Sequence, residues 1–168
     1  MTLLYRTDPM EGLQLRDDEA GGPGVLSGPA MVYGDVARRP GYLERFDAGA
    51  LVPYERGVYA RYMHQRHMPL ARLGRGMTIT DTPERMEVEI VLPDTQLGQD
   101  TARMVRDELL QGLSLEFAPV RHRLDGQTVV HSSATLVGVS VVDIPSYPQS
   151  TVQLREELLA QHRRRPWL

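Results

Sequence analysis

The sequence contains no cysteine and no lysine. Without cysteine there are no disulfide frameworks, no thiolate zinc sites and no thiol nucleophile. Without lysine there is no Schiff base, no Ser-Lys dyad and no phosphate-reaching Walker lysine. All 19 basic residues are arginine, a bias that a GC-rich genome produces and that reads as origin rather than mechanism. An enzyme built on this chain takes its nucleophile from Ser, Thr, Asp, Glu, His or Tyr. Long apolar runs are also missing, so nothing spans a bilayer. The first 22 residues lack a basic region followed by a sustained apolar core, so nothing argues for secretion, and a cytoplasmic origin is expected.

The chain has 168 residues, 41% hydrophobic and 24% charged, with a net charge of −3. That places it among soluble globular proteins with one domain able to bury a core. Residues 1–24 are polar and turn-rich, closing in Asp17-Asp18-Glu19-Ala20-Gly21-Gly22-Pro23-Gly24, and read as a flexible arm. The main domain is expected over residues 25–152, and residues 153–168 are expected to form a C-terminal helix and basic tail. No internal repeat is visible.

From Val25 to Leu51, the breaks at Gly28-Pro29, Gly34 and Pro40-Gly41 suit short strands and turns. Residues 58–64 carry β-formers and stop near Pro69, so His64 closes a strand or opens a loop. Met77–Leu92 reads as a hairpin turning at Asp81-Thr82-Pro83-Glu84, with Met86, Val88, Ile90 and Leu92 on its buried face. A helix of about three turns is expected next, capped by Asp100 and ended by Gly112. After Gly112 the period becomes two, turning Ser114 and Glu116 away from Leu113, Leu115 and Phe117. Asp125-Gly126 predicts a tight hairpin turn into Thr128–Ala134, extended on through Leu136–Val142.

His64 and His67 are spaced to invite a metal, but no HExxH and no carboxylate at a recognisable interval accompanies them, so no metal and no cofactor is expected. Gly112-Leu113-Ser114-Leu115-Glu116 has part of a GxSxG pattern yet lies inside a strand rather than on a strand-to-helix elbow. Taken alone, Ser114 reads as a polar residue on the outer face of a strand.

Read together, four segments resemble the caudovirus prohead serine protease family, the capsid-maturation proteases of tailed bacteriophages. Leu43-Glu44-Arg45-Phe46-Asp47-Ala48-Gly49-Ala50-Leu51 is similar to its Glu…Pro-Gly-Ala-Phe element, with Ala48 where Pro is usual. His64 with Pro69 and Arg72 resembles its His…Pro-(Leu/Ile)-Gly-Arg element, with Ala71 replacing Gly. Gly112–Phe117 resembles its Gly-Leu-Ser-(Ile/Leu)-x-Phe strand. Leu136-Val137-Gly138-Val139-Ser140-Val141-Val142-Asp143-Ile144-Pro145 resembles its closing Leu-x-Glu-Val-Ser-Leu-Val-x-x-Pro. Each motif is short; their shared order is what makes the likeness specific.

The resemblance implies a mainly β protein with flanking helices, a compact β-barrel like that of herpesvirus assemblin. It also implies Ser114 as nucleophile and His64 as general base, a pair the chemistry needs because a serine hydroxyl is a poor nucleophile until an imidazole takes its proton. The spacing to Pro69 and Arg72 selects His64 over His67; His122 and His162 read as surface residues.

The family's third catalytic position is occupied by Gly138. A two-residue turn at Asp125-Gly126 would pair Leu124 with Gln127 and bring Ser114 opposite Val137, beside Gly138, unless Pro119 shifts the register. On the same ladder His131 falls opposite Val120, roughly 20 Å from Ser114 at about 3.3 Å per residue, and Asp143 is similarly distant. Glu116 is nearer, on the Ser114 face, with a solvated strand residue as its alternative reading. The expectation is therefore a Ser114–His64 dyad whose orienting position is vacant or filled by water, and which a glutamate at position 138 would complete if the strand has room for it. Oxyanion donors are not assigned; Arg72, Arg75 and backbone amides are the candidates.

The expected activity is that of a serine endopeptidase that cleaves scaffold and major capsid protein segments inside an assembling prohead in the host cytoplasm. The alternative is a structural prohead component that keeps the fold without the activity, a reading motivated by Gly138. A homodimer is left open and no membrane partner is expected. Nucleic-acid binding through Arg163-Arg164-Arg165 is disfavoured, because the chain is net acidic and arginines at a helix end serve its dipole and solvation.

Overall fold

The computed structural model describes residues 4–7, 13–39 and 41–143. The expected C-terminal helix, the basic tail and His162 lie outside them. The described elements run β1 (Leu4–Thr7), β2 (Gln14–Arg16), β3 (Val25–Val32), β4 (Ala37–Arg39), β5 (Tyr42–Phe46), β6 (Leu51–Pro53), β7 (Tyr59–Tyr62), β8 (Pro69–Leu73), β9 (Gly76–Asp81), β10 (Arg85–Val91), α1 (Gln96–Arg106), β11 (Gly112–Asp125) and β12 (Thr128–Val142). The protein is mainly β, and its single sheet curls into a half-barrel.

The sheet is organised around β12. On one side β12 runs antiparallel to β11; on the other it takes three short parallel partners in turn, β5 along Thr128–His131, β6 along Ala134–Leu136 and β7 along Gly138–Val141. Strand β12 is thus paired on both edges along most of its length, and from Leu136 to Val142 every residue is buried. Phe46 and Phe117 meet edge to face with centroids 5.0 Å apart, a favoured aromatic geometry that packs β5 against β11.

The Met77–Leu92 hairpin forms as its alternation requires: β9 and β10 pair from Met86↔Asp81 to Ile90↔Met77, and Met86, Val88, Ile90 and Leu92 are buried. Elsewhere the structure corrects local expectations. Strand β3 runs unbroken through Gly28-Pro29; β2 covers only Val25–Ser27, so the missing Pro29 N–H falls where no described strand needs it on that side. Two pieces of the N-terminal arm are paired strands, β1 on β11 and β2 on β3. The helix starts earlier than Asp100, because Thr95 is its cap: Oγ1 accepts the Gly98 N–H at 3.2 Å. It also ends earlier, at Arg106, with Glu108 rather than Gly112 taking the left-handed conformation (φ 57°) behind it.

The β11–β12 register differs most. Asp125 pairs with Thr128, so the turn is Gly126-Gln127 with Gly126 at φ 61°, displaced from the expected Asp125-Gly126. A further irregularity between Glu116 and Phe117 leaves Val137 without a partner. Together they move the far end of the ladder by three residues, so that Ser114 faces Ser140 rather than Val137.

Candidate active site

Three neighbouring strands build the site in two rows. One row reads Glu116, Gly138, Tyr59 across β11, β12 and β7; the next reads Ser114, Ser140, Arg61. Residues opposite one another in a ladder share a face, so alternation on three separate strands brings Ser114, Glu116, Ser140 and Arg61 onto one surface. That surface is not the solvated outer face expected for Ser114: the residue is 0% exposed, and β11 is buried on both faces from Gly112 to Ala118.

The centre of the cluster is the Glu116 carboxylate. Its Oε1 accepts the Ser140 hydroxyl at 2.7 Å and lies 3.2 Å from His64 Nδ1. Its Oε2 accepts Arg61 Nη1–H at 2.6 Å. With its side chain only 4% exposed, Glu116 is a buried ion-pair partner rather than a solvated strand residue. Burial pushes its pKa up, but hydrogen bonds from His64 and Ser140 and the nearby Arg61 and His64 charges outweigh that and hold it below the usual carboxylate value. The group is anionic when its neighbours need it to be.

His64 reaches this carboxylate from a strained turn. Tyr62 ends β7, and Met63 and His64 follow with φ of 46° and 59°, two successive non-glycine residues in the left-handed region. Three hydrogen bonds hold the turn: Gln65 N–H to Tyr62 O at 2.8 Å, Met63 N–H to Val141 O at 3.0 Å, and His64 N–H to Ser140 Oγ at 3.2 Å. Ser140 therefore does two things, accepting from the histidine backbone and donating to the carboxylate that meets the imidazole. The His64 side chain is 27% exposed, leaving one side of the ring open to solvent. An ionised carboxylate only accepts, so a neutral His64 ring bonded to it carries its proton on Nδ1 and its lone pair on Nε2.

Gly138 lies in β12 without a left-handed φ, but a side chain there would have to displace the tips of Arg61 and Glu116. A Cβ there would collide with Arg61 Nη1 and lie 2.8 Å from Glu116 Oε2. The position read from sequence as vacant is filled from across the ladder, because Glu116 is the direct partner of Gly138. A carboxylate one strand over thus lies beside the position expected to be vacant or to hold water. Sequence reasoning weighed Glu116 but missed Arg61 and Ser140; the signal for both was their shared row with Ser114, which only the correct register reveals.

The remaining candidates lie apart from this cluster. His67 is exposed in the loop before β8. His131 pairs with His122 rather than Val120, toward the turn end of the ladder, where it stacks on Phe46 at 4.6 Å and lies 3.5 Å from Glu44. Asp143 follows the end of β12 and is exposed. The exposed Arg72 leans over the Tyr59 ring at 5.7 Å and donates to Arg56 O. Among the described residues no group of three or more metal-ligating side chains forms, and no helix is long and apolar enough to cross a membrane.

A serine, a histidine and a buried carboxylate gathered from neighbouring β elements have the composition of a serine-peptidase site. The family model described as caudovirus prohead serine protease matches residues 11–165, and the chain belongs to that family. No match was found among curated proteins or among solved structures.

Proposed function

We propose that the protein is a serine endopeptidase that cleaves scaffold and major capsid protein segments inside the assembling phage prohead, in the host cytoplasm. Ser114 is the nucleophile, His64 the general base and Glu116 the orienting acid. The observation that carries this reading is the Glu116 carboxylate 3.2 Å from His64 Nδ1, held on its other sides by Arg61 and Ser140.

In the reaction the Ser114 Oγ–H proton passes to His64 Nε2 as Oγ bonds to the scissile carbonyl carbon. The imidazolium then gives that proton to the departing amine, and water repeats the sequence on the acyl-enzyme. Glu116 fixes the tautomer and stabilises the imidazolium without taking a proton itself. Arg61 keeps the carboxylate charged and aimed, and Ser140 ties it to the backbone that carries the base.

Coexpression with the phage's scaffold or major capsid protein tests the proposal. The expected outcome is cleavage by the wild type and none by Ser114→Ala. If the folded wild type cleaves neither, the structural-component reading replaces the enzyme.

A further inference from the structure

Ser114 has two paired neighbours, Ser140 of β12 on one side and Thr7 of β1 on the other, and it is 0% exposed. A scissile carbonyl has to come within about 3–3.5 Å of the attacking oxygen, so something around Ser114 has to move before it can react, and the strands flanking it are the first to weigh. Strand β12 is not the element that moves. It pairs with β11 from Gly112 to Asp125 and with β5, β6 and β7 on its other edge. Strand β1 is far less firmly held, with four residues at one end of the strand path, antiparallel to β11 from Leu4↔Phe117 to Thr7↔Ser114.

We infer that the β11 edge from Ser114 to Phe117 is the docking edge for an extended peptide segment of the substrate, and that β1 occupies it in cis, keeping the nucleophile covered until a substrate strand takes its place. This rests on Ser114 being the nucleophile. The chemistry of recognition is strand addition: backbone N–H and C=O groups of an incoming extended segment replace those of β1 on an edge that carries the reacting side chain. Past Phe117 the same edge of β11 has no partner among the described residues, so a longer segment can continue along it beyond the reach of β1.

The test weakens β1 in the full chain. Successive N–H groups along a strand point to opposite edges, so Tyr5→Pro/Arg6→Pro removes one donor facing β11 whichever way the strand is phased. The probe is a fluorophosphonate, with labelling at Ser114 located by peptide mass mapping. Labelling is expected to accelerate about tenfold, the effect of losing roughly one net backbone hydrogen bond from the closed state. A synthetic peptide with the sequence of residues 1–10, added in trans, is expected to slow the variant again. If the proline variant does not fold, Tyr5→Gly/Arg6→Gly, which loosens the strand and keeps its donors, carries the same comparison. Equal labelling rates in wild type and a folded variant overturn the self-occupied edge while leaving the nucleophile standing. Absence of Ser114 labelling in both removes the nucleophile and this inference with it.

Discussion

Glu116 and Gly138 face each other directly across the β11–β12 ladder, and the carboxylate of one fills the space that any side chain on the other would need. A side chain at position 138 therefore has to displace the paired tips of Arg61 and Glu116. Glu116→Gln, which keeps shape but loses the charge, is expected to lower kcat by about 10³–10⁴ with KM nearly unchanged, as disabling the orienting acid of a serine protease does. Gly138→Glu alone is expected to lose both stability and activity, because a second carboxylate would be buried against the first without a partner of its own, at a cost of about 3–5 kcal/mol. The exchange variant Glu116→Gly/Gly138→Glu is expected to recover part of the activity lost in Glu116→Gly. Cleavage rates and melting temperatures of the four proteins decide it; an exchange variant no better than Glu116→Gly means that the acid acts only from β11.

Arg61 is the cationic partner of that acid, with its side chain 10% exposed. Arg61→Met removes the charge and leaves Glu116 ionised in a dry site, so a destabilisation of about 3–5 kcal/mol is expected in urea unfolding. The double variant Arg61→Met/Glu116→Gln is expected to be more stable than Arg61→Met, since it removes the stranded charge. A double variant less stable than either single one argues that the pair is held by packing rather than by charge.

The depressed pKa of Glu116 sets the direction of acid sensitivity. In the unfolded chain the carboxyl titrates at about 4.3; in the folded protein it titrates lower, so over the intervening window the unfolded state binds more protons. The stabilisation is complete above that unfolded value and is lost as pH falls through the folded one. Unfolding free energy measured from about pH 7 down to pH 3 is expected to fall less steeply for Glu116→Gln than for the wild type. Identical slopes mean that other carboxylates carry the acid response.

The two histidines of the β7–β8 loop differ in what they touch. His64 meets Glu116 and Ser140, while His67 is exposed. His64→Ala is expected to abolish cleavage and His67→Ala to retain most of it. Ser140→Ala is expected to reduce kcat by roughly 10–100-fold, because it frees both the carboxylate and the His64 backbone; Ser140→Thr, which keeps the hydroxyl, recovers part of that. Activity surviving in His64→Ala but not in His67→Ala reverses the assignment.

Short motifs singled out Ser114 and His64 as candidate nucleophile and base, because such candidates are named by residue type and local spacing. Alternation over Met86–Leu92 gave the buried face of β10, since a strand with one side in the core carries its pattern in its own residues. The Glu116–His64 contact was not legible from the ladder arithmetic. It depends on register, which a turn displaced to Gly126-Gln127 and an irregularity beside Phe117 shifted together, and neither has a distinctive residue signature. Period-two reasoning also treated the Ser114 face as outer. That face is buried too, and a polar arm gives little notice that part of it will pair with β11. Thr95 rather than Asp100 caps the helix because its extended backbone lets Oγ1 accept the Gly98 N–H, leaving Asp100 inside the helix.

The turn that carries His64 has its own consequence for how the protein fails. Two consecutive left-handed residues are unfavourable by about 1–3 kcal/mol each, and the bonds to Val141, Ser140 and Tyr62 help to hold them so. When the last residues of β12 fray, the turn is free to relax and the imidazole swings away while the rest of the sheet is still intact. Catalytic competence thus reports on one corner of the fold, and it is expected to disappear at a lower denaturant concentration than the far-ultraviolet signal of the strands.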